Sequence, residues 1–169
     1  MNKISKNIIL IGMPGCGKSS IGEKLARSLN IEFCDIDLCI ESKLNMTIPQ
    51  IFKKGELYFR RTESEVLETI SKSYPQVIAT GGGVVKDYRN IEVLKQNGVI
   101  IYINRPLDQI VKVIDIKNRP LISDGIEKVY LLYEERHKLY ESYSDIEILN
   151  DKSEAETVLK ILKKTFVDI

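Results

Sequence analysis

Little in this chain points to a scaffold held by disulfides or metal. Its three cysteines, Cys16, Cys34 and Cys39, are odd in number and show no paired zinc spacing, so they read as reduced thiols of a cytoplasmic protein. The lone histidine, His137, reads as a surface residue, on a different helix face from neighbouring Arg136. Twenty-five Lys and Arg against 24 Asp and Glu leave a formal net charge of +1, with no basic field suited to nucleic acid or an anionic membrane. No apolar stretch approaches a membrane span, and the lysines near the N-terminus precede no signal-peptide core. No internal repeat or low-complexity tract occurs. The expectation is a soluble cytoplasmic monomer whose partners are small molecules.

What the chain does have is alternation. Its 169 residues, 43% of them hydrophobic, suit one globular domain over 1–169. Apolar, β-branched runs at Ile8 to Ile11, Ile31 to Ile36, Val77 to Ala79, Val99 to Ile103 and Ile146 to Leu149 alternate with segments of helical period. That order predicts an α/β fold, a parallel sheet wrapped by helices. Helices are expected near 18–29, 37–44, 47–53, 56–72, 87–97, 106–115, 126–143 and 153–166. The long helical excursion, about 37–73, is a candidate substrate-capturing flap. The segment of about 116–126, with Pro120 and Gly125 as breakers and Lys117 and Arg119 as cations, is a candidate lid. Either could instead be a plain surface connection.

The most specific signal is Gly12-Met13-Pro14-Gly15-Cys16-Gly17-Lys18-Ser19, which fits G-x-x-x-x-G-K-[ST] between an apolar strand and an amphipathic helix carrying Ile21, Leu25, Ala26 and Leu29 on one face. Such a loop converges backbone N–H groups on a phosphate at the positive end of a helix. Gly12, Gly15, Cys16, Gly17, Lys18, Ser19 and Ser20 are therefore candidate nucleotide contacts. Lys18 reaches the β and γ oxygens, and Ser19 is placed to ligate Mg2+ held with ATP. Cys16, beside Lys18 and a helix N-terminus, is a thiol whose modification could block nucleotide, or simply a small tolerated residue.

Further motifs follow the other strands. Asp35-Ile36-Asp37 closes the second strand, and alternation would send both carboxylates to one side at the ligand-binding edge. One acid could order the metal and its waters and the other engage an acceptor hydroxyl, with helix capping by Asp37 as the structural alternative. Of Arg60 and Arg61, about 100° apart on a helix, one should face solvent. Thr80-Gly81-Gly82-Gly83 leaves backbone bare for close approach after the third strand, or is a flexible turn. Arg119 could cover the transferring phosphate, and Arg136 could clamp an anionic substrate group; each could also be an ordinary surface arginine.

In order along the chain, G-M-P-G-C-G-K-S, D-I-D, F-R-R-x-E, T-G-G-G, R-P-L and R-x-x-L-Y resemble the shikimate kinase family over most of its length. The resemblance implies a P-loop kinase of nucleoside-monophosphate-kinase type with a five-stranded parallel sheet. It implies transfer of the ATP γ-phosphoryl group to the 3-hydroxyl of shikimate, with Mg2+ as cofactor. By the same resemblance, Lys18, Asp37 and Arg119 are catalytic. Asp37, Arg60, Gly81, Gly82, Gly83 and Arg136 bind shikimate, Arg60 and Arg136 through its carboxylate. Ser19 holds the metal directly and Asp35 through water. Lys112 stands where the family can carry an adenine-stacking arginine, and Lys152 follows Asn150-Asp151 near the base. The rivals are another small-molecule kinase, such as a gluconate or nucleoside-monophosphate kinase, and a non-catalytic ATP-binding module. The D-G-F-P-R segment of adenylate kinases is absent, and intact Lys18, Asp37 and Arg119 argue for catalysis.

Overall fold

The structure is a computed structural model that describes residues 5–115, 117 and 119–167, with Phe166 and Val167 described as backbone only. Ile116 and Asn118 of the candidate lid lie outside the described residues.

Five strands, β1 (Asn7–Ile11), β2 (Glu32–Asp35), β3 (Gln76–Ala79), β4 (Gly98–Asn104) and β5 (Ile146–Leu149), form one sheet in the order β2-β3-β1-β4-β5. Every pairing is parallel. A parallel sheet with helices on both faces buries its central strands completely, and all five residues of β1 are buried. The helices are α1 (Lys18–Leu29), α2 (Ile36–Leu44), α3 (Ile48–Phe52), α4 (Glu56–Ile70), α5 (Tyr88–Asn97), α6 (Leu107–Val113), α7 (Glu127–Tyr143) and α8 (Glu154–Val167). None among the described residues is long and apolar enough to cross a membrane.

The strand order locates the site. From β1 the chain builds β2 and β3 on one side, then crosses to β4 and β5 on the other, so the crevice opens beyond the C-terminal end of β1. The phosphate-loop motif occupies that point, flanked by the segments leaving β3 and β4.

One local expectation is corrected. β2 ends at Asp35 and α2 begins at Ile36, so strand alternation is not what brings Asp35 and Asp37 together. Asp35 is the helix N-cap, with its carboxylate accepting from the backbone N–H of Asp37 and Leu38, and Asp37 lies in the first turn. Capping thus falls to Asp35 rather than Asp37. A short side-chain acceptor at the strand end satisfies orphan amides and turns the chain sharply, which puts Asp37 over the crevice. α6 also stops at Val113, short of the expected 115, because Ile114 is already extended at ψ 126°.

Candidate active site

The loop from Gly12 to Gly17 is held by partners distant in sequence. Gly12 has φ 147°, and a Cβ there would lie 2.7 Å from the carbonyl oxygen of Ile103. Asn150 Nδ2 donates to the Cys16 carbonyl at 2.9 Å, and Arg105 donates to the Gly15 carbonyl at 3.3 Å. Lys18, only 8% exposed, donates through Nζ to the carbonyls of Gly12 at 2.8 Å and Met13 at 2.9 Å. The Cys16 thiol is turned into the core and fully buried, so the reactive-thiol reading has no access route. Ser20 donates to Glu154 of α8 at 2.5 Å.

A cavity of about 340 Å³ lies over this loop, lined among others by Gly15, Gly17, Lys18, Ser19, Ser20, Asp35, Arg105, Arg119 and Glu154. The Ser19 hydroxyl donates to Asp35 Oδ2 at 2.5 Å, pairing two hard oxygen donors at the cavity wall. Among the described residues no group of three or more His, Cys, Asp or Glu is arranged for a metal. A magnesium ion fits this donor set only with phosphate and water completing its octahedron. Lys112 and Lys152 are exposed and lie near Asp108 and Glu156, each at 3.8 Å.

A second cavity of about 290 Å³ adjoins the first, walled by Ile48, Phe52 and Phe59 of the helical excursion, by Arg60, Glu63, Leu132 and Arg136, and by Pro120 to Ile122. Pro14, Asp37, Gly81, Gly82 and Arg119 line both cavities, so these residues form the doorway between them. Asp37 Oδ1 is buried without a hydrogen-bond partner. Burial, and after it the charge of Asp35, raise the Asp37 pKa above the ordinary carboxylate value against the opposing pull of Lys18, Arg119 and Arg60.

Besides Arg119 at the doorway, two arginines line the second cavity. Arg60 Nη1 donates to Glu63 at 2.8 Å, while its Nε and Nη2 approach Glu56 at 3.3 and 3.2 Å. Arg61 points to solvent, as one of the adjacent pair had to. Arg136 is 1% exposed, its Nε has no hydrogen-bond partner, and Glu135 lies 3.6 Å away, too far for a hydrogen bond. An almost wholly buried guanidinium with an unpaired Nε–H is costly unless an anion completes it. His137 is tied to the Tyr133 carbonyl at 2.8 Å and stacks on that ring, taking no part in the cavity wall.

The glycine stretch has a more specific cause than bare backbone for a ligand. A Cβ at Gly81 would stand 2.8 Å from Glu63 Oε1 and 3.1 Å from Asp37 Oδ1. One at Gly82 would strike the Pro14 ring at 2.7 Å, and one at Gly83 would collide with the Arg60 guanidinium. Each glycine therefore makes room for a different wall of the doorway.

Sequence reasoning assigned no role to Glu63, Arg105, Tyr140 or Asn150. Glu63 and Tyr140 stand in the F-R-R-x-E and R-x-x-L-Y motifs, and Arg105 follows the C-terminal end of β4, the edge where open α/β sheets bind ligands. Tyr140 donates to the Gly82 carbonyl at 2.5 Å and interacts with Arg136 one helical turn away. It fastens α7 to the glycine stretch.

A phosphate loop at the switch point of a five-stranded parallel sheet, opening through an acid-lined doorway into a cationic pocket, defines a P-loop small-molecule kinase of nucleoside-monophosphate-kinase type. A family model described as shikimate kinase matches residues 14–166. The shikimate kinase of Clostridium botulinum (strain Eklund 17B / Type B) is 47% identical over 160 residues, covering 95% of this chain and 97% of that protein. The shikimate kinase of Aquifex aeolicus (strain VF5) is 40% identical over 157 residues, covering 92% of this chain and 93% of its own. A solved structure of the Acinetobacter baumannii shikimate kinase in complex with shikimate superposes with a TM-score of 0.93 at 34% identity, covering 98% of this chain and 96% of that one. The chain belongs to the shikimate kinase family and is an ATP-dependent kinase.

Proposed function

We propose that this chain transfers the γ-phosphoryl group of ATP to the 3-hydroxyl of shikimate, giving shikimate 3-phosphate and ADP. The observation that carries the reading is Asp37, a half-buried residue whose Oδ1 is buried and unpartnered, at the doorway between a phosphate-loop cavity and a pocket bearing the buried Arg136. An acceptor with a hydroxyl to donate to Asp37 and a carboxylate for the arginines complements both walls of the pocket.

In this reading the chain is one domain, with 37–73 as the acceptor-binding excursion and 116–126 as the lid. The loop N–H groups and Lys18 cradle the phosphates. Lys18 exchanges its loop carbonyls for the β and γ oxygens, and Arg105 adds a donor beside Gly15. Ser19 would hold Mg2+ directly and Asp35 through water, and the ion would supply charge neutralisation at the phosphates. Arg60 and Arg136 fork the acceptor carboxylate and fix its ring. Asp37 accepts the proton of the attacking hydroxyl, a task that its raised pKa suits better than an ordinary carboxylate. Arg119 reaches over both cavities to the charge that develops during transfer. Alignment and charge neutralisation suffice for in-line transfer without a covalent enzyme intermediate. A cytoplasmic setting agrees with three free thiols.

Phosphorus NMR of the product formed from magnesium ATP and shikimate tests the proposal. A single phosphate monoester on the 3-hydroxyl is expected; phosphate on another hydroxyl, or none, contradicts it.

A further inference from the structure

Cys34, the third residue of β2, and Cys39, in α2, bring their Sγ atoms to 3.1 Å. Both thiols are free and half-buried, in contrast to the fully buried Cys16. The sharp strand-to-helix turn capped by Asp35 brings them together, and between them in sequence lie Asp35 and Asp37. A disulfide needs an S–S separation of about 2.05 Å, so closure asks for a movement of about 1 Å. We propose that Cys34 and Cys39 are a dithiol modification site, which a low-molecular-weight disulfide oxidises to an intramolecular bond that disables the acceptor-facing turn between them.

The chemistry balances as two exchanges. The Cys39 thiolate attacks one sulfur of the small disulfide, forming a mixed disulfide and expelling one thiolate. Cys34 then loses its proton to water and its thiolate attacks Cys39 Sγ, which lies 3.1 Å away before reaction, expelling the second small thiolate, so the protein dithiol is oxidised as the reagent is reduced.

The consequence falls on the turn. Asp35 is committed at once to Ser19 Oγ at 2.5 Å and to the Asp37 N–H at 3.0 Å. Drawing Cys39 toward Cys34 pulls on the first turns of α2, which carry Asp37. A shift of about 1 Å in a reacting group can cost about a hundredfold in rate. The kinetic part of the inference rests on the acceptor role proposed for Asp37; the disulfide itself does not.

The full-length protein, reduced and then incubated with glutathione disulfide, is alkylated, digested and assayed in parallel. The expected result is a peptide holding both cysteines that is two hydrogens lighter and unalkylated, with shikimate-dependent turnover lowered at least about tenfold and restored by dithiothreitol. Cys39→Ser, or Cys34→Ser if the first folds poorly, should match the untreated parent and keep its turnover through the treatment. A glutathione adduct persisting on either cysteine, a pair that stays reduced, undiminished turnover in the oxidised protein, or equal loss in the serine variants overturns the inference. Absence of shikimate-dependent ADP release from the reduced parent contradicts the acceptor reading instead, while the peptide mass still decides the disulfide.

Discussion

At the residue scale the site is a set of charges held in places that cost stability. Asp37 illustrates the trade. Its folded-state pKa lies above the unfolded value, so between the two the folded protein holds a proton that the unfolded chain has lost. Stability therefore falls as pH rises through that window, the ionised carboxylate being the form that destabilises the fold. Asp37→Asn should raise Tm at pH 7 while lowering kcat with shikimate by roughly 10²- to 10⁴-fold, the usual range for a general base. In the parent, kcat/KM for shikimate should fall on acidification at a pH above the ordinary carboxylate range. A less stable Asn variant that retains turnover contradicts both the base role and the direction of the shift.

The two arginine predictions separate the cavities. Arg136→Lys keeps the charge but loses the planar fork, so KM for shikimate should rise about tenfold or more, or about 1.4 kcal/mol where KM tracks binding, with the KM for ATP nearly unchanged. A neutral amide analogue of the acceptor should bind the parent poorly and lose little further in the variant, because one partner cannot be lost twice. Arg105→Gln should do the reverse, raising the KM for ATP several-fold and leaving that for shikimate near the parent value. Equal effects on both substrates would place either residue in the scaffold rather than at a ligand.

At the element scale, what was legible in the sequence depended on whether burial or distant partners decided the outcome. The central strands could be read because parallel strands covered on both faces become apolar runs, as Ile8 to Ile11 and Val99 to Ile103 do, whereas the edge strands β2 and β5 are only partly covered. Amphipathic period similarly revealed the helices, to within a turn at their ends. The turn at Asp35 was not legible as such, since a carboxylate at a strand end looks the same whether it continues alternation or caps the next helix. Gly81, Gly82 and Gly83 announced a close approach, but what approaches them is Glu63, Asp37, Pro14 and Arg60, none of them adjacent in sequence. Gly83→Ala should leave the fold intact and displace the Arg60 guanidinium, raising the KM for shikimate about tenfold with little effect on ATP. An unchanged KM for shikimate would remove Arg60 from the acceptor clamp.

At the scale of the whole molecule, the phosphate-loop motif located the nucleotide end of the site and the resemblance named acceptor-side residues, but how they come together in one pocket is a product of topology. The order β2-β3-β1-β4-β5 brings the end of β1, the glycine stretch after β3 and Arg105 after β4 to one crevice. The helical excursion and α7 then close the acceptor side, with Tyr140 fastening α7 to Gly82. A pocket enclosing the buried guanidinium of Arg136, whose Nε has no hydrogen-bond partner, discriminates against a neutral polyol, which would bring that cation no countercharge. Coupled measurement of ADP release from magnesium ATP with shikimate, gluconate, AMP and CMP as competing acceptors is the most direct test of that selectivity. ADP release driven by shikimate, with the other three near the acceptor-free rate, is the expected result; release driven equally well by gluconate or by a nucleoside monophosphate, or no response to shikimate, would contradict it.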